Sequence, residues 1–99
     1  MATYTNYIRF AADGRNFTIT EEHTSLKEVR LTAQFTDEYG NEFRLNRPVE
    51  GSGFDEVKAL RNAYESLWLA TWPSCICYEG FRKKVYEMLR YYEQLDEAM

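Results

Sequence analysis

The sequence is poor in the residue types and patterns that mark most functional sites. It holds one histidine, two cysteines and two prolines in 99 residues. No run of about 18 apolar residues is present, so no membrane span is predicted, and the first residues lack the basic and apolar regions of a secretory signal. Cys75 and Cys77 are too close in sequence for an unstrained disulfide. We therefore expect reduced thiols, as in the cytoplasm.

The sequence also lacks a basic excess. The net charge is −4, and each half of the chain carries six Lys and Arg against eight Asp and Glu. Nucleic-acid binders draw most of their affinity from neutralising phosphates, so direct nucleic-acid binding is not expected. The only basic cluster, Arg82, Lys83 and Lys84, has Glu79 and Glu87 as neighbours at helical spacing. Such a run is typical of a solvated helix face.

No arrangement of residues predicts catalysis, a cofactor or a metal. His23 lies in the polar stretch Glu21–Ser25, which we interpret as a solvated loop. The spacing of the surrounding residues does not indicate a Ser/His/Asp or Cys/His catalytic arrangement. The two cysteines supply only half of the four ligands that a structural zinc ion needs. Gly51-Ser52-Gly53 lacks the longer glycine pattern of a phosphate-binding loop. We therefore expect a protein that is not an enzyme.

What the sequence does contain is a change of hydrophobic period at residues 51–53. Before this point apolar residues recur at every second position, and after it they recur at three and four. Period 2 predicts strands with one buried face, and a period near 3.6 predicts amphipathic helices. We therefore predict one α+β domain over residues 1–99. It is a two-layer sandwich (ββββαα): a four-stranded antiparallel meander, residues 3–49, is followed by two helices, residues 53–96, packed on one face.

The predicted elements follow from local signals. The strands are Tyr4–Phe10, Phe17–Thr20, Lys27–Thr36 and Glu42–Arg47, with a tight turn at Asp13-Gly14. The first helix is predicted from about Gly53 to Ala70, with Ser52 and Asp55 as a capping box and Phe54 as its first buried position. The second is predicted from about Cys75 to Leu95, with Ser74 as its cap.

Two surfaces are predicted to contact a partner. Of the 99 residues, 16 are aromatic and eight of these are tyrosines, and exposed tyrosine beside arginine is typical of interface hot spots. One surface is the polar face of the sheet, and the other is the outer side of the second helix. The predicted partner-binding residues are Arg9, Arg30 and Arg44 on the sheet, and Arg82, Lys83, Tyr86, Arg90 and Tyr91 on the helix.

These features lead to one main hypothesis and two alternatives. The main hypothesis is a small, cytoplasmic, non-enzymatic protein-binding module. In size and composition the chain is similar to phage and mobile-element inhibitors of host defence, of the anti-CRISPR or anti-restriction type. That likeness implies a stoichiometric complex with a host nucleic-acid-processing enzyme. The alternatives are a homodimeric or small-ligand-binding domain with an aromatic pocket between sheet and helices, and a weak nucleic-acid binder.

Overall fold

The computed structural model describes residues 3–45, 47–71 and 78–98. In this part of the chain five strands precede two helices: β1 (Tyr4–Ala12), β2 (Arg15–Ser25), β3 (Glu28–Thr36), β4 (Glu42–Arg44), β5 (Val49–Ser52), α1 (Glu56–Ala70) and α2 (Glu79–Ala98). The sheet is antiparallel in the order β1-β2-β3-β4, with β5 also paired to β3. The predicted α+β class is confirmed, with one strand more than expected.

The core forms where the alternating apolar residues of the sheet meet the apolar stripes of the helices. Ile19 of β2 and Leu31 of β3 are fully buried, as are Leu67 of α1 and Val85 of α2, each at 0% exposure. Burying a large apolar side chain contributes about 1.5–3 kcal/mol, so these residues stabilise the packing of the helices on the sheet. Because the buried residues of β2 and β3 alternate along each strand, they all lie on one face of the sheet. The two helices cover this face and leave the other open.

The turn between β1 and β2 fixes the start of α2. Asp13 and Gly14 both have positive φ, 53° and 72°, which confirms the predicted tight turn. The Asp13 carboxylate accepts hydrogen bonds from the backbone N–H groups of Gly80 and Phe81, each at 3.1 Å. A carboxylate in this position caps the helix and favours its dipole. The first hairpin and the last helix are thereby joined across the sequence.

The other edge of the sheet is interrupted. β4 ends at Arg44 rather than at the predicted Arg47. Pairing with β3 resumes in the unpredicted strand β5, and the register shows that the chain between β4 and β5 contains two residues that have no partner in β3. Pro48 lies in this interruption, where its missing N–H removes no ladder hydrogen bond. Gly51 of β5 lies directly under α1, because a Cβ built on it would stand 2.2 Å from the backbone nitrogen of Ala63.

The first helix begins later than predicted. Ser52 belongs to β5, so the predicted capping box is wrong; Asp55 alone caps α1, accepting from the Lys58 N–H at 2.8 Å. Phe54, predicted as a buried helix position, precedes the helix and is 88% exposed. α2 begins at Glu79, and its predicted start, from Ser74 to Cys77, lies outside the described residues.

Candidate functional site

The outer face of the sheet is the surface that the helices leave open. Alternation along each strand places Arg9, Arg30 and Arg44 on this face, opposite the side chains that form the core. All three arginines are exposed. The three sheet residues predicted to bind a partner therefore share one surface.

Two of these arginines lie in a single row across the sheet. The strand register places Arg9 opposite Thr18, Thr18 opposite Gln34, and Gln34 opposite Arg44. Because neighbouring strands lie about 4.8 Å apart, the two Cα atoms at the ends of this row are about 14 Å apart. We call these four residues the arginine row. It has a cation at each end and uncharged polar groups between them.

The arginines of the arginine row differ from Arg30 in whether they are paired with carboxylates. The Arg30 guanidinium binds Glu50 at 2.9 Å and lies 3.8 Å from Glu22, so its charge is met within the sheet. Among the described residues, Arg44 forms no ion pair, and Arg9 lies only over the ring of Tyr7, at 5.3 Å. The arginine row therefore keeps two guanidiniums able to bind carboxylates from outside.

The predicted residues on α2 lie in the helical layer, away from the arginine row. Lys83 is exposed, whereas the Lys84 ammonium lies over the ring of Phe10 at 5.8 Å, and the Nε of Arg82 is buried. The three neighbouring cations therefore do not form one exposed basic patch. Arg90 lies 3.4 Å from Glu93. The structure therefore does not bring the eight predicted residues together.

The tyrosines of α2 remain accessible. Tyr86 is 46% exposed and packs its ring against Trp68, and Tyr91 is 55% exposed with its ring edge against Tyr92. Each ring is therefore held by an aromatic neighbour while much of its surface stays in water. Rigid, half-exposed rings of this kind bind with a small loss of side-chain entropy.

A buried polar cluster lies at the other end of β2, where the sequence predicts a loop. β2 continues to Ser25, and its core-facing alternation runs from Phe17 and Ile19 on to Glu21 and His23. Glu21 is 1% exposed and His23 is 3% exposed, so the interpretation of His23 as a solvated loop histidine is wrong. The signal in the sequence was this alternation, which the polar composition of residues 21–25 obscured.

Side chains from both layers surround this cluster. Glu21 accepts a hydrogen bond from the buried hydroxyl of Tyr64 on α1, and its other oxygen lies 3.4 Å from His23 Nε2 and 3.4 Å from the Asn6 amide nitrogen. The ring of Tyr4 stacks on the imidazole with 4.0 Å between centroids. The Tyr4 hydroxyl also donates a hydrogen bond to Glu56. The cluster thus joins β1, β2 and α1.

The geometry of the cluster does not suit a metal ion. The Glu21 carboxylate faces Nε2 of His23, whereas the Glu56 carboxylate lies 3.9 Å from Nδ1. The two nitrogens of an imidazole point in different directions, so one ion cannot be bound by both carboxylates and the ring together. Within residues 3–45, 47–71 and 78–98, no group of three or more His, Cys, Asp or Glu residues is placed to hold a metal.

The tyrosines around the cluster are held in their neutral form. Burial raises the pKa of Tyr64 well above its ordinary value, and the charge of Glu21 adds to the effect. Burial likewise raises the pKa of Tyr92 to about 12. The hydrogen bond to Glu56 raises the pKa of Tyr4 to about 12. A phenolate at any of these positions would lie close to a carboxylate.

These shifts predict a loss of stability at alkaline pH. A tyrosine in the unfolded chain ionises near pH 10, so the folded state holds extra protons above that value. The free energy of unfolding is therefore expected to be unaffected by these tyrosines below about pH 10 and to fall as the pH rises towards about 12. Urea unfolding at a series of pH values measures this. Tyr92→Phe is expected to make the fall shallower, and Tyr39→Phe, at an exposed loop tyrosine, is the matched control. Equal slopes for both variants would contradict the assignment.

Comparison with known proteins identifies no relative. The chain matches no known protein family, and no curated protein or solved structure shows significant similarity to it. Neither helix in the described part of the chain combines the length and the apolar character needed to cross a membrane.

Proposed function

We propose that this protein is a binding module that docks on an acidic surface of a partner protein through the arginine row. The observation that carries the proposal is a pair of arginines, with Cα atoms about 14 Å apart, on the sheet face that the helices leave open, neither of them bound to a carboxylate within the described residues. Arginine forms bidentate hydrogen bonds with carboxylates. A partner that presents a carboxylate to each end of the arginine row is complementary to this surface.

The charges around the arginine row favour a protein partner over a nucleic acid. Glu22 and Glu50 lie on the same face and neutralise Arg30, and Glu42 is on this face two residues before Arg44. A phosphate backbone would be repelled by these carboxylates as well as attracted by the cations. This reduces the electrostatic attraction that supplies most of the affinity for nucleic acid. A mixed surface instead selects one partner by matching charges of both signs.

The partner class that we propose is a nucleic-acid-processing enzyme of a host defence system. The likeness in size and charge to phage inhibitors of such enzymes supports it. A second support is chemical, because nucleases hold their divalent metal ions with clusters of carboxylates. A carboxylate cluster is an acidic surface with which exposed arginines can form ion pairs. Binding there would block the enzyme without any chemistry by this chain.

Affinity capture from the source host at low salt tests the proposal with charge-matched variants. The double variant Arg9→Glu/Arg44→Glu reverses both ends of the arginine row, and Lys83→Glu/Arg90→Glu makes the same change of charge on α2. We expect one nucleic-acid-processing enzyme to be captured in stoichiometric amount, and the sheet variant to bind it with an affinity at least about tenfold lower. The α2 variant is expected to retain it.

Three outcomes would contradict the proposal. Capture of no stoichiometric partner would remove the binding function. Loss of the partner in the α2 variant alone would transfer the site to the helical layer. Equal recovery of nucleic acid by all forms at low salt, falling steeply as salt rises, would favour the weak nucleic-acid binder.

A further inference from the structure

β1 is an edge strand with little of the protection that edges normally have. It pairs with β2 in a regular register over all nine of its residues. Within the described part of the chain, its only backbone hydrogen bonds are those to β2. Proteins usually shield such an edge with proline, charged side chains, a bulge or a short strand. β1 is long and regular, contains no proline, and carries one charged residue, Arg9.

α2 runs beside this open edge in the opposite direction to β1. Its start is bound to the turn that follows Ala12. Towards its end, Tyr92 stacks on Tyr64, whose hydroxyl binds Glu21 opposite Asn6 of β1. The helix therefore passes from the last residues of β1 towards its first.

One flank of α2 faces this edge and is largely apolar. The opposite flank contacts α1 through Glu93 and Asp96, which bind Arg61 and Lys58 at 3.7 Å and 2.9 Å. Residues at helical spacing on the side away from α1 are Lys84, Met88, Tyr91 and Leu95. Lys84 lies over Phe10 of β1, which places this flank on the β1 side. Met88 and Leu95 are half-buried, and Tyr91 is 55% exposed.

A second copy of the chain can pair with the β1 edge and cover the apolar flank of α2 at the same time. Two β1 strands can pair antiparallel about a two-fold axis at Ile8, so that core-facing residues stay on the core side in both copies. Tyr7 of each copy then lies opposite Arg9 of the other. Arginine over a tyrosine ring is favourable, and no like charges meet along the strand pair. Because the apolar flank of α2 lies on the β1 side, the same axis places the two flanks side by side.

The size of this surface is sufficient for a stable contact. Nine residues of strand extend about 31 Å, and a sheet layer plus a helix layer is about 20 Å deep. That face is roughly 600 Å² for each copy, or about 1,200 Å² in total, the lower end of the range for specific interfaces. We propose that the chain forms a two-fold dimer through β1 and the Met88–Tyr91–Leu95 flank of α2, with the sheet continuous across the two copies.

Analytical ultracentrifugation of the full chain between about 5 and 500 μM, a range that brackets a dissociation constant of about 50 μM, tests the proposal. We expect a reversible dimer. Tyr7→Arg places a second cation opposite Arg9 at both symmetric positions, and we expect at least tenfold weaker dimerisation. Tyr7→Glu places an anion there and is expected to retain or strengthen the dimer. Tyr91→Glu is expected to weaken it at least tenfold, and Tyr39→Arg, in the exposed turn before β4, is the control.

The variants alter exposed side chains, and far-UV circular dichroism checks that each one is folded. A chain that stays monomeric at every concentration would overturn the proposal. A dimer that neither Tyr7→Arg nor Tyr91→Glu weakens would overturn it as well. If only Tyr91→Glu weakens the dimer, or if Tyr7→Glu weakens it as much as Tyr7→Arg, the strand pairing is wrong.

Discussion

Gly51→Ala is expected to lower the free energy of unfolding by about 3 kcal/mol or more. The new Cβ would lie 2.2 Å from the backbone nitrogen of Ala63, 2.5 Å from its Cα and 2.6 Å from the carbonyl oxygen of Ala59. All three atoms belong to the backbone of α1, so no side-chain rotation can relieve the overlap. The whole helix must move off β5, which opens the core beneath it.

Ser52→Ala is the control for this substitution. Ser52 is the exposed neighbour of Gly51 in β5, and its replacement adds no atom next to α1, so we expect a change below about 0.5 kcal/mol. Chemical denaturation of both variants measures the difference. If Gly51→Ala is tolerated as well as Ser52→Ala, α1 does not pack on β5 as closely as described.

Tyr64→Phe is expected to lower the free energy of unfolding by about 2–3 kcal/mol. The ring is fully buried, at 0% exposure, and phenylalanine keeps its packing. The loss comes from Glu21, because the carboxylate stays buried without the hydroxyl that donates to it. Tyr86→Phe, at a half-exposed ring on α2, is the control and is expected to change stability by less than about 0.5 kcal/mol.

A double-mutant cycle separates the hydrogen bond from general packing. Glu21→Met removes the acceptor, and combined with Tyr64→Phe it leaves no unpaired carboxylate facing the ring. The double variant is therefore expected to be more stable than the sum of the single effects predicts, with a coupling of about 1 kcal/mol or more. Additive effects would show that Tyr64 and Glu21 are not coupled in solution.

The sequence predicted the sheet and the helices because their side chains follow a regular period. It failed where a distant part of the chain decides the structure. β5 has only one large apolar residue, Val49, and it is a strand because β3 offers an unpaired edge beyond the interruption. Phe54 fits the helical period, yet Asp55 provides the stronger cap and begins the helix after it.

The candidate site was predictable to a similar extent. Alternation placed Arg9 and Arg44 on one face, but only the strand register shows that they share a row. Glu21 and His23 appeared to be loop residues because the local sequence is polar. The hydroxyl that satisfies Glu21 comes from Tyr64, 43 positions away, and no local pattern contains that partner.

The bond between Asp13 and the start of α2 has a consequence for how the protein is made. The strands leave the ribosome first, and hairpins such as β1–β2 form from contacts that are close in sequence. The cap on α2 joins positions 67 and 68 residues apart, so it forms only after α1 and the start of α2 have been synthesised. Until then the apolar side of the sheet is exposed. The newly made chain is therefore most prone to aggregate, and most dependent on chaperones, in the interval before α2 emerges.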